Sequence, residues 1–244
     1  MTAALKFTDV SKRYGVAHAL EAVSFSVEPG CFFGLAGVNG AGKTTLIKCL
    51  LDLASADHGR IEIFGAASDA PRARARLAFL PERFSPPYYL NGRDFLRMMA
   101  LMRGDAYAES HAQAMLERLD LDPRVLGRGV RTYSKGMTQK LGLASCFLAD
   151  RDLTILDEPM SGLDPLARAR VKDLLDDLKG RGRTLFLTSH ALSDVEEICQ
   201  QVAVLHDGRV CYVGPPADMR ALSGSSTLER AFLHFISTPG AIQA

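Results

Sequence analysis

Residues 31–53 read Cys31-Phe-Phe-Gly-Leu-Ala-Gly37-Val38-Asn39-Gly40-Ala41-Gly42-Lys43-Thr44-Thr45-Leu-Ile-Lys-Cys-Leu-Leu-Asp-Leu53. An unbroken apolar run passes into a glycine-rich turn and then a helical segment, which is the order buried strand, loop, helix. Gly37 to Thr44 fits G-x-x-x-x-G-K-[ST] in the strand-to-helix position its chemistry requires. Phosphate oxygens need several backbone N–H groups converging on one point. Glycine permits the tight curl, and the helix N-terminus adds the positive end of its dipole. Lys43 then reaches the outer phosphates, and Thr44 offers a hydroxyl to Mg²⁺.

Ahead of this segment, LKF and AVSFSV alternate around a KRYG turn at residues 12–15, which predicts short antiparallel strands in the first thirty residues. Beyond it, the apolar runs Ile61–Phe64, Leu77–Leu80, Leu153–Leu156, Thr184–Leu187 and Val202–Leu205 have the length and content of buried strands. The long interval before Leu153 has helical periodicity. Phe95, Met98, Met99 and Met102 recur at helical spacing, as do Ala112, Met115, Leu116 and Leu119. Core packing is the reading of the methionine stripe, with a partner-docking surface as the alternative. Residues from about 86 to 150 read as a helical subdomain inserted in the core. A helix from about Asp164 to Lys179 carries Val171, Leu174, Leu175 and Leu178 on one face, and His206-Asp207-Gly208 signals a hairpin. RARAR at 72–76 reads as a solvated helix face.

Strand–helix alternation implies a mainly parallel sheet. The expected architecture is therefore α/β: a P-loop NTPase core, an N-terminal antiparallel β subdomain and the helical insert. It spans residues 1–216 and is followed by a short helical tail, 217–244.

At 244 residues the chain suits one large α/β domain. Lys plus Arg (29) nearly balances Asp plus Glu (28), so global charge gives no reason to expect nucleic acid or an anionic membrane as partner. The five cysteines, 31, 49, 146, 199 and 211, form no CxxC pair, which argues against a disulfide framework or a zinc site and suits small buried hydrophobes in a reducing cytosol. The first residues do not read as a secretory signal. The longest apolar run, Leu141 to Ala149, is about half the length that spans a bilayer, so any work at a membrane needs another chain as anchor.

Two further motifs carry chemistry. LTILDEP (153–159) is a buried strand ending in two carboxylates, which emerge at the carboxyl edge of the sheet where ligands of open α/β folds bind. Asp157 suits Mg²⁺, and Glu158 suits polarising a water against the γ-phosphate as a general base. LTSH (187–190) places His190 after another strand at that edge, within reach of the γ-phosphate or the attacking water.

In chain order, KRYG, GVNGAGKTT, LPE (80–82), YSKGM (133–137), LTILDEP, SGLD (161–164) and LTSH resemble the nucleotide-binding subunits of ABC transporters, over about residues 4–216. The resemblance implies that ATP and Mg²⁺ are bound, with Gly37 through Thr45 around the phosphates and Tyr14 stacked on adenine. It implies that Ser134, Lys135 and Gly136 cap ATP held by a second ATPase subunit in a head-to-tail dimer, a homodimer being favoured. Asp164 would couple the two sites across that dimer. Glu82 stands where many members carry Gln, and would offer an oxygen toward Mg²⁺ while adding negative charge beside the phosphates.

The implied function is ATP hydrolysis driving transport through a separate integral membrane permease. The chain would be cytoplasmic, peripheral on the cytoplasmic face of the inner or plasma membrane, and in contact with it only through the permease. The signature has Tyr133, Lys135 and Met137 where the common form has Leu, Gly and Gln, and this form resembles that of prokaryotic transporters with small separate ATPase subunits, many of them exporters, which inclines the reading toward export. The segment Phe84-Ser-Pro-Pro-Tyr-Tyr89 is the expected permease contact, as a loop exposing aromatics. The alternative reading is a soluble non-transport ABC ATPase acting in assembly or repair. A GTPase switch would need a guanine-reading N/TKxD motif, which the sequence lacks.

Overall fold

The computed structural model describes residues 2–237, so positions 238–244 of the expected tail lie outside the described residues. β1 (Leu5–Tyr14) and β2 (Ala17–Val27) form an antiparallel hairpin. Lys12, Arg13 and Tyr14 continue β1, and the turn is Gly15-Val16, with Gly15 at φ +59°. These strands are longer than the sequence suggested because the polar KRY stretch still pairs across the hairpin, down to Tyr14 opposite Ala17.

β3 (Phe32–Ala36), α1 (Lys43–Leu50), β4 (His58–Ile63) and β5 (Ala66–Ala67) follow. The run Ile61–Phe64 is a correction to the sequence reading. β4 pairs antiparallel with β1, in a four-stranded sheet ordered β2-β1-β4-β5, and has no place in the parallel sheet. Only one of its faces is covered, so Ile61 and Ile63 are buried while Glu62 is not, and Phe64 leaves the strand at φ +47°. α2 (Pro71–Arg74) is a single turn that buries Ala73. The expected RARAR helix face stops short, and Arg76 lies beyond it with its guanidinium 3.7 Å from the centre of the Phe64 ring.

Next come β6 (Leu77–Leu80), α3 (Gly92–Arg103), α4 (Glu109–Arg118), α5 (Lys135–Ala149), β7 (Leu153–Asp157) and α6 (Pro165–Gly180). β8 (Thr184–Thr188), α7 (Leu192–Ile198), β9 (Gln201–His206), β10 (Arg209–Gly214), α8 (Pro216–Ser223) and α9 (Leu228–Ser237) complete the order. The second sheet is ordered β10-β9-β3-β8-β7-β6, parallel throughout except for β10, which the 206–208 turn folds back on β9. β3, β7 and β8 are buried along their whole length because both faces are covered. On one side an aromatic stack joins the sheets: Phe25 lies 5.3 Å from Phe33, which lies 5.9 Å from Phe186. The other face meets helices, including the Val171, Leu174, Leu175 and Leu178 stripe of α6.

The helical segment is started by side-chain caps. Asn91 accepts from Asp94 N at 2.8 Å to open α3, and Ser134 accepts from Met137 N at 3.2 Å to open α5. The methionine stripe borders the core: Phe95 is buried, Met98 and Met99 are half-buried against the core cluster, and Met102 is exposed. Cys49, Cys146 and Cys199 are buried and Cys31 and Cys211 half-buried, all as free thiols. Among the described residues no helix is long and apolar enough to cross a membrane.

Candidate functional site

Four neighbouring strands, β3, β8, β7 and β6, run parallel, so their carboxyl ends share one sheet edge. β3 delivers the glycine loop there, β8 delivers His190, β7 delivers Asp157 and Glu158, and β6 delivers Glu82. One cleft is lined by Asn39 through Thr45, Glu82, Asp157, Glu158 and His190, with Ala19 of β2 at its rim. Gly37 and Val38 lie behind it, against a second cavity that reaches Ser189 and His190.

The glycines are required by space as well as by backbone. A Cβ at Gly37 would lie 2.5 Å from the Leu205 carbonyl oxygen, and one at Gly42 2.4 Å from that of Ala19. Gly42 also caps α1 at φ +109°, where side chains are strained. The Lys43 ammonium donates to the carbonyls of Gly37 at 2.6 Å and Val38 at 3.2 Å, folding back over the loop. Burial lowers its pKa, opposed by the charges of Glu158, Asp157 and Glu82.

Thr188 joins the two carboxylate residues. Its hydroxyl donates to Asp157 Oδ1 at 2.6 Å and accepts from the Glu158 N–H at 3.0 Å. The β7–β8 register makes this possible by setting Asp157 directly opposite Thr188. Glu158 sits at φ +51°, a conformation that costs a non-glycine residue about 1–3 kcal/mol and persists only where its surroundings hold it. His190 Nδ1 lies 2.7 Å from Glu158 Oε2, an ion pair whenever the imidazole is protonated. Burial raises the pKa of both carboxyls, against the Thr188 hydrogen bond at Asp157 and the His190 charge at Glu158.

The oxygen donors Thr44, Asp157 and Glu82 on one cleft wall suit a hard cation such as Mg²⁺. No group of three or more His, Cys, Asp or Glu side chains among the described residues is grouped to hold a metal by itself. The two facts agree, since Mg²⁺ commonly takes one or two protein carboxylates and completes its shell with phosphates and water. The glycine cradle and the oxygen set fit a magnesium–nucleotide pair.

The remaining sequence candidates lie outside this cleft. Tyr14 is 51% exposed at the end of β1, with the Lys12 ammonium 5.5 Å from its ring centre. Ser134 and Lys135 are exposed and Gly136 half-buried at the start of α5, packed against the SGLD loop of the same chain. There a Cβ at Gly162 would lie 2.9 Å from Lys135 Cε. Asp164 caps α6 by accepting from Ala167 N at 2.8 Å. Phe84 corrects the expectation of an aromatic-exposing loop: it is half-buried, 5.5 Å from Phe95 and against Gly142, so only Tyr88 (75%) and Tyr89 (72%) are presented. Apolar groups of the helical segment, Phe95 among them, cover it.

Two residues went unread in the sequence. Thr188 was visible inside LTSH, but its bridging role depends on strand register. Buried Gln139 donates from Nε2 to the Pro159 carbonyl at 3.1 Å, tying α5 to the segment after Glu158, and no spacing announces it.

A profile described as ABC transporter matches residues 20–161. The chain is 35% identical to a daunorubicin resistance ATP-binding protein of Streptomyces coeruleorubidus, over 93% of this chain and 72% of that one. It is 36% identical to a Nod factor export ATP-binding protein of Paraburkholderia xenovorans, over 90% and 73%. It is also 37% identical to an ABC transporter ATP-binding protein of Synechocystis, of whose length it spans 58%. Among solved structures it resembles an ATP-binding subunit of an ABC transporter, with TM-score 0.89, 33% identity, and 95% and 99% of the two chains covered. The fold is shared with a dimeric ATP-binding cassette bound to ADP and Pi, with TM-score 0.79, 20% identity, and 86% and 98% covered. With the glycine cradle and the carboxylates on one sheet edge, these likenesses establish that the chain belongs to the ABC transporter family.

Proposed function

We propose that the chain is the ATP-binding and ATP-hydrolysing subunit of an exporter, working on a separate integral membrane permease at the cytoplasmic face of the membrane. The observation that carries this is the joined set of four residues at the sheet edge: Asp157 and Glu158 bridged by Thr188, with His190 held on Glu158 beside the glycine cradle. Export is favoured because two of the relatives are named for daunorubicin resistance and Nod factor export.

In this reading Gly37 through Thr45 wrap the phosphates with backbone N–H groups, and Lys43 exchanges its two loop carbonyls for phosphate oxygens. Thr44, Asp157 and Glu82 hold Mg²⁺, which when bound neutralises charge on the phosphate oxygens. Glu158 orients and deprotonates the attacking water, and its pKa, raised by burial, strengthens it as a base. His190 fixes the Glu158 carboxylate and faces the γ-phosphate. Tyr14 stacks on adenine. Ser134, Lys135 and Gly136, outside their own chain's cleft, cap ATP on a second identical copy, and Asp164 lies at that seam. Tyr88 and Tyr89 meet the permease.

Membrane co-purification of tagged Glu158→Gln protein tests the proposal. Hydrolysis should fall by roughly 10²- to 10⁴-fold while ATP binding persists. A polytopic membrane protein should be recovered with the trapped dimer. Recovery of an ATP-dependent dimer with soluble partners alone would retain the ATPase and overturn the transport assignment.

A further inference from the structure

The side chain just before the signature serine makes a contact that the proposed chemistry leaves unused. Tyr133 is half-buried between the 128–132 loop and the start of α3. Its hydroxyl donates to the Val125 carbonyl at 2.6 Å. Against the same hydroxyl sits Gly92, the first residue of α3. A Cβ there would lie 2.4 Å from the Tyr133 oxygen and 3.4 Å from Cζ. Gly92 is not among the residues at positive φ, so glycine is needed at this position for room and not for backbone conformation.

Backbone pairing makes the same join. Val130 N donates to the Leu90 carbonyl at 2.9 Å and Gly92 N to that of Arg128 at 3.3 Å, while Asn91 and Gly129 form an antiparallel bridge. Tyr133 N donates to the Val130 carbonyl at 3.0 Å, and the next residue, Ser134, opens α5. The segment carrying exposed Tyr88 and Tyr89 is thereby fastened to the residue preceding Ser134.

We infer that Tyr133 is a positioning residue that locks the signature loop to the start of α3, with Gly92 as the socket for its hydroxyl. A leucine at 133 would fill apolar space but offer no donor to Val125 and need no glycine at 92. The lock holds Ser134 and its neighbours in the setting that meets nucleotide on a second copy, and that part rests on the head-to-tail pairing proposed above.

Two measurements in the Glu158→Gln background test it: ATP affinity of the monomer, which uses the glycine loop, and ATP-driven dimerisation by analytical ultracentrifugation, which uses the signature. Tyr133→Phe keeps the ring and deletes one hydrogen bond, so dimerisation should weaken about fivefold with monomer affinity unchanged. Gly92→Ala, which drives a methyl into the hydroxyl, should weaken dimerisation further. The double variant Gly92→Ala/Tyr133→Phe should recover to the level of Tyr133→Phe alone. Unchanged dimerisation in Tyr133→Phe, additive losses in the double variant, or a parallel fall in monomer affinity would overturn the lock. Amide exchange at residues 134–137 of the nucleotide-free monomer decides the matter even if the parent does not dimerise, an outcome that would sink the pairing instead. Exchange should quicken there in Tyr133→Phe and stay unchanged in the glycine loop, and equal exchange in both regions would overturn the inference.

Discussion

In the sheet-edge cleft, Asp157 and Glu158 are 5% and 8% exposed, each of the two carboxylates has a partner within the chain, and both stand at the end of a strand whose sheet brings the glycine loop, Glu82 and His190 to the same edge. At the signature edge, Ser134 and Lys135 are open to solvent, and the side-chain hydrogen bond there is a helix cap within the chain. The first region is finished by one chain's own packing. The second is shaped and locally braced, yet its polar groups face outward. Burial and pairing thus separate the half of the site that one chain completes from the half that, in the proposed dimer, a second chain completes. Electrostatics differ in the same sense: desolvation raises the cleft carboxyls, whereas on the helical segment the Tyr107 hydroxyl and Arg93 lower Glu109.

The largest expected separation of the two regions comes from Lys43→Ala. Loss of a charge-assisted contact to phosphate should weaken ATP binding by the monomer on the order of 10- to 100-fold, measured by nucleotide titration. Retained affinity would mean that the cleft is not the phosphate site. Ser134→Ala should do the opposite, leaving monomer affinity as it was and lowering turnover about tenfold through the lost contact across the dimer. An equal loss in monomer binding would erase the contrast.

Thr188→Val probes the closed network itself. It strands the buried Glu158 N–H and frees Asp157 from its donor, so urea unfolding should show a stability loss of about 1–3 kcal/mol. Val at Thr154, also buried in β7, controls for the shape of the change.

The smallest effect is a pH dependence of opposite sign in the cleft and in the helical segment. Glu109 has a lowered folded pKa, so its contribution is present above the ordinary carboxylate value and is lost as pH falls through the folded value. The raised carboxyls of the cleft contribute below their ordinary values and lose that contribution as pH rises through the folded ones. Hydrogen exchange on acidification should therefore loosen α3 and α4 before β7 and β8, and Glu109→Gln should flatten that difference.

Local order in the chain was enough to read much of this. An apolar run into GVNGAGKTT dictates strand, cradle and helix, because the backbone freedom of glycine and the helix dipole act within a few residues. DEP after a buried strand dictates carboxylates at a sheet edge, and Asp164 and Ser134 mark helix starts through bonds to N–H groups three residues on. Tertiary structure decided what pairs across the chain. Thr188 bridges Asp157 and Glu158 only because β7 and β8 align, Ile61 joins β1 and not the parallel sheet, and Phe84 turns inward onto Phe95. The same holds for the Tyr133 hydroxyl at Gly92 and for Gln139 at Pro159. Sequence spacing encodes periodicity and caps, which are local. Register and burial are settled by which surfaces meet, and those partners stand from 11 positions apart, for Phe84 and Phe95, to 54, for Phe7 and Ile61, beyond the reach of any helix or turn rule.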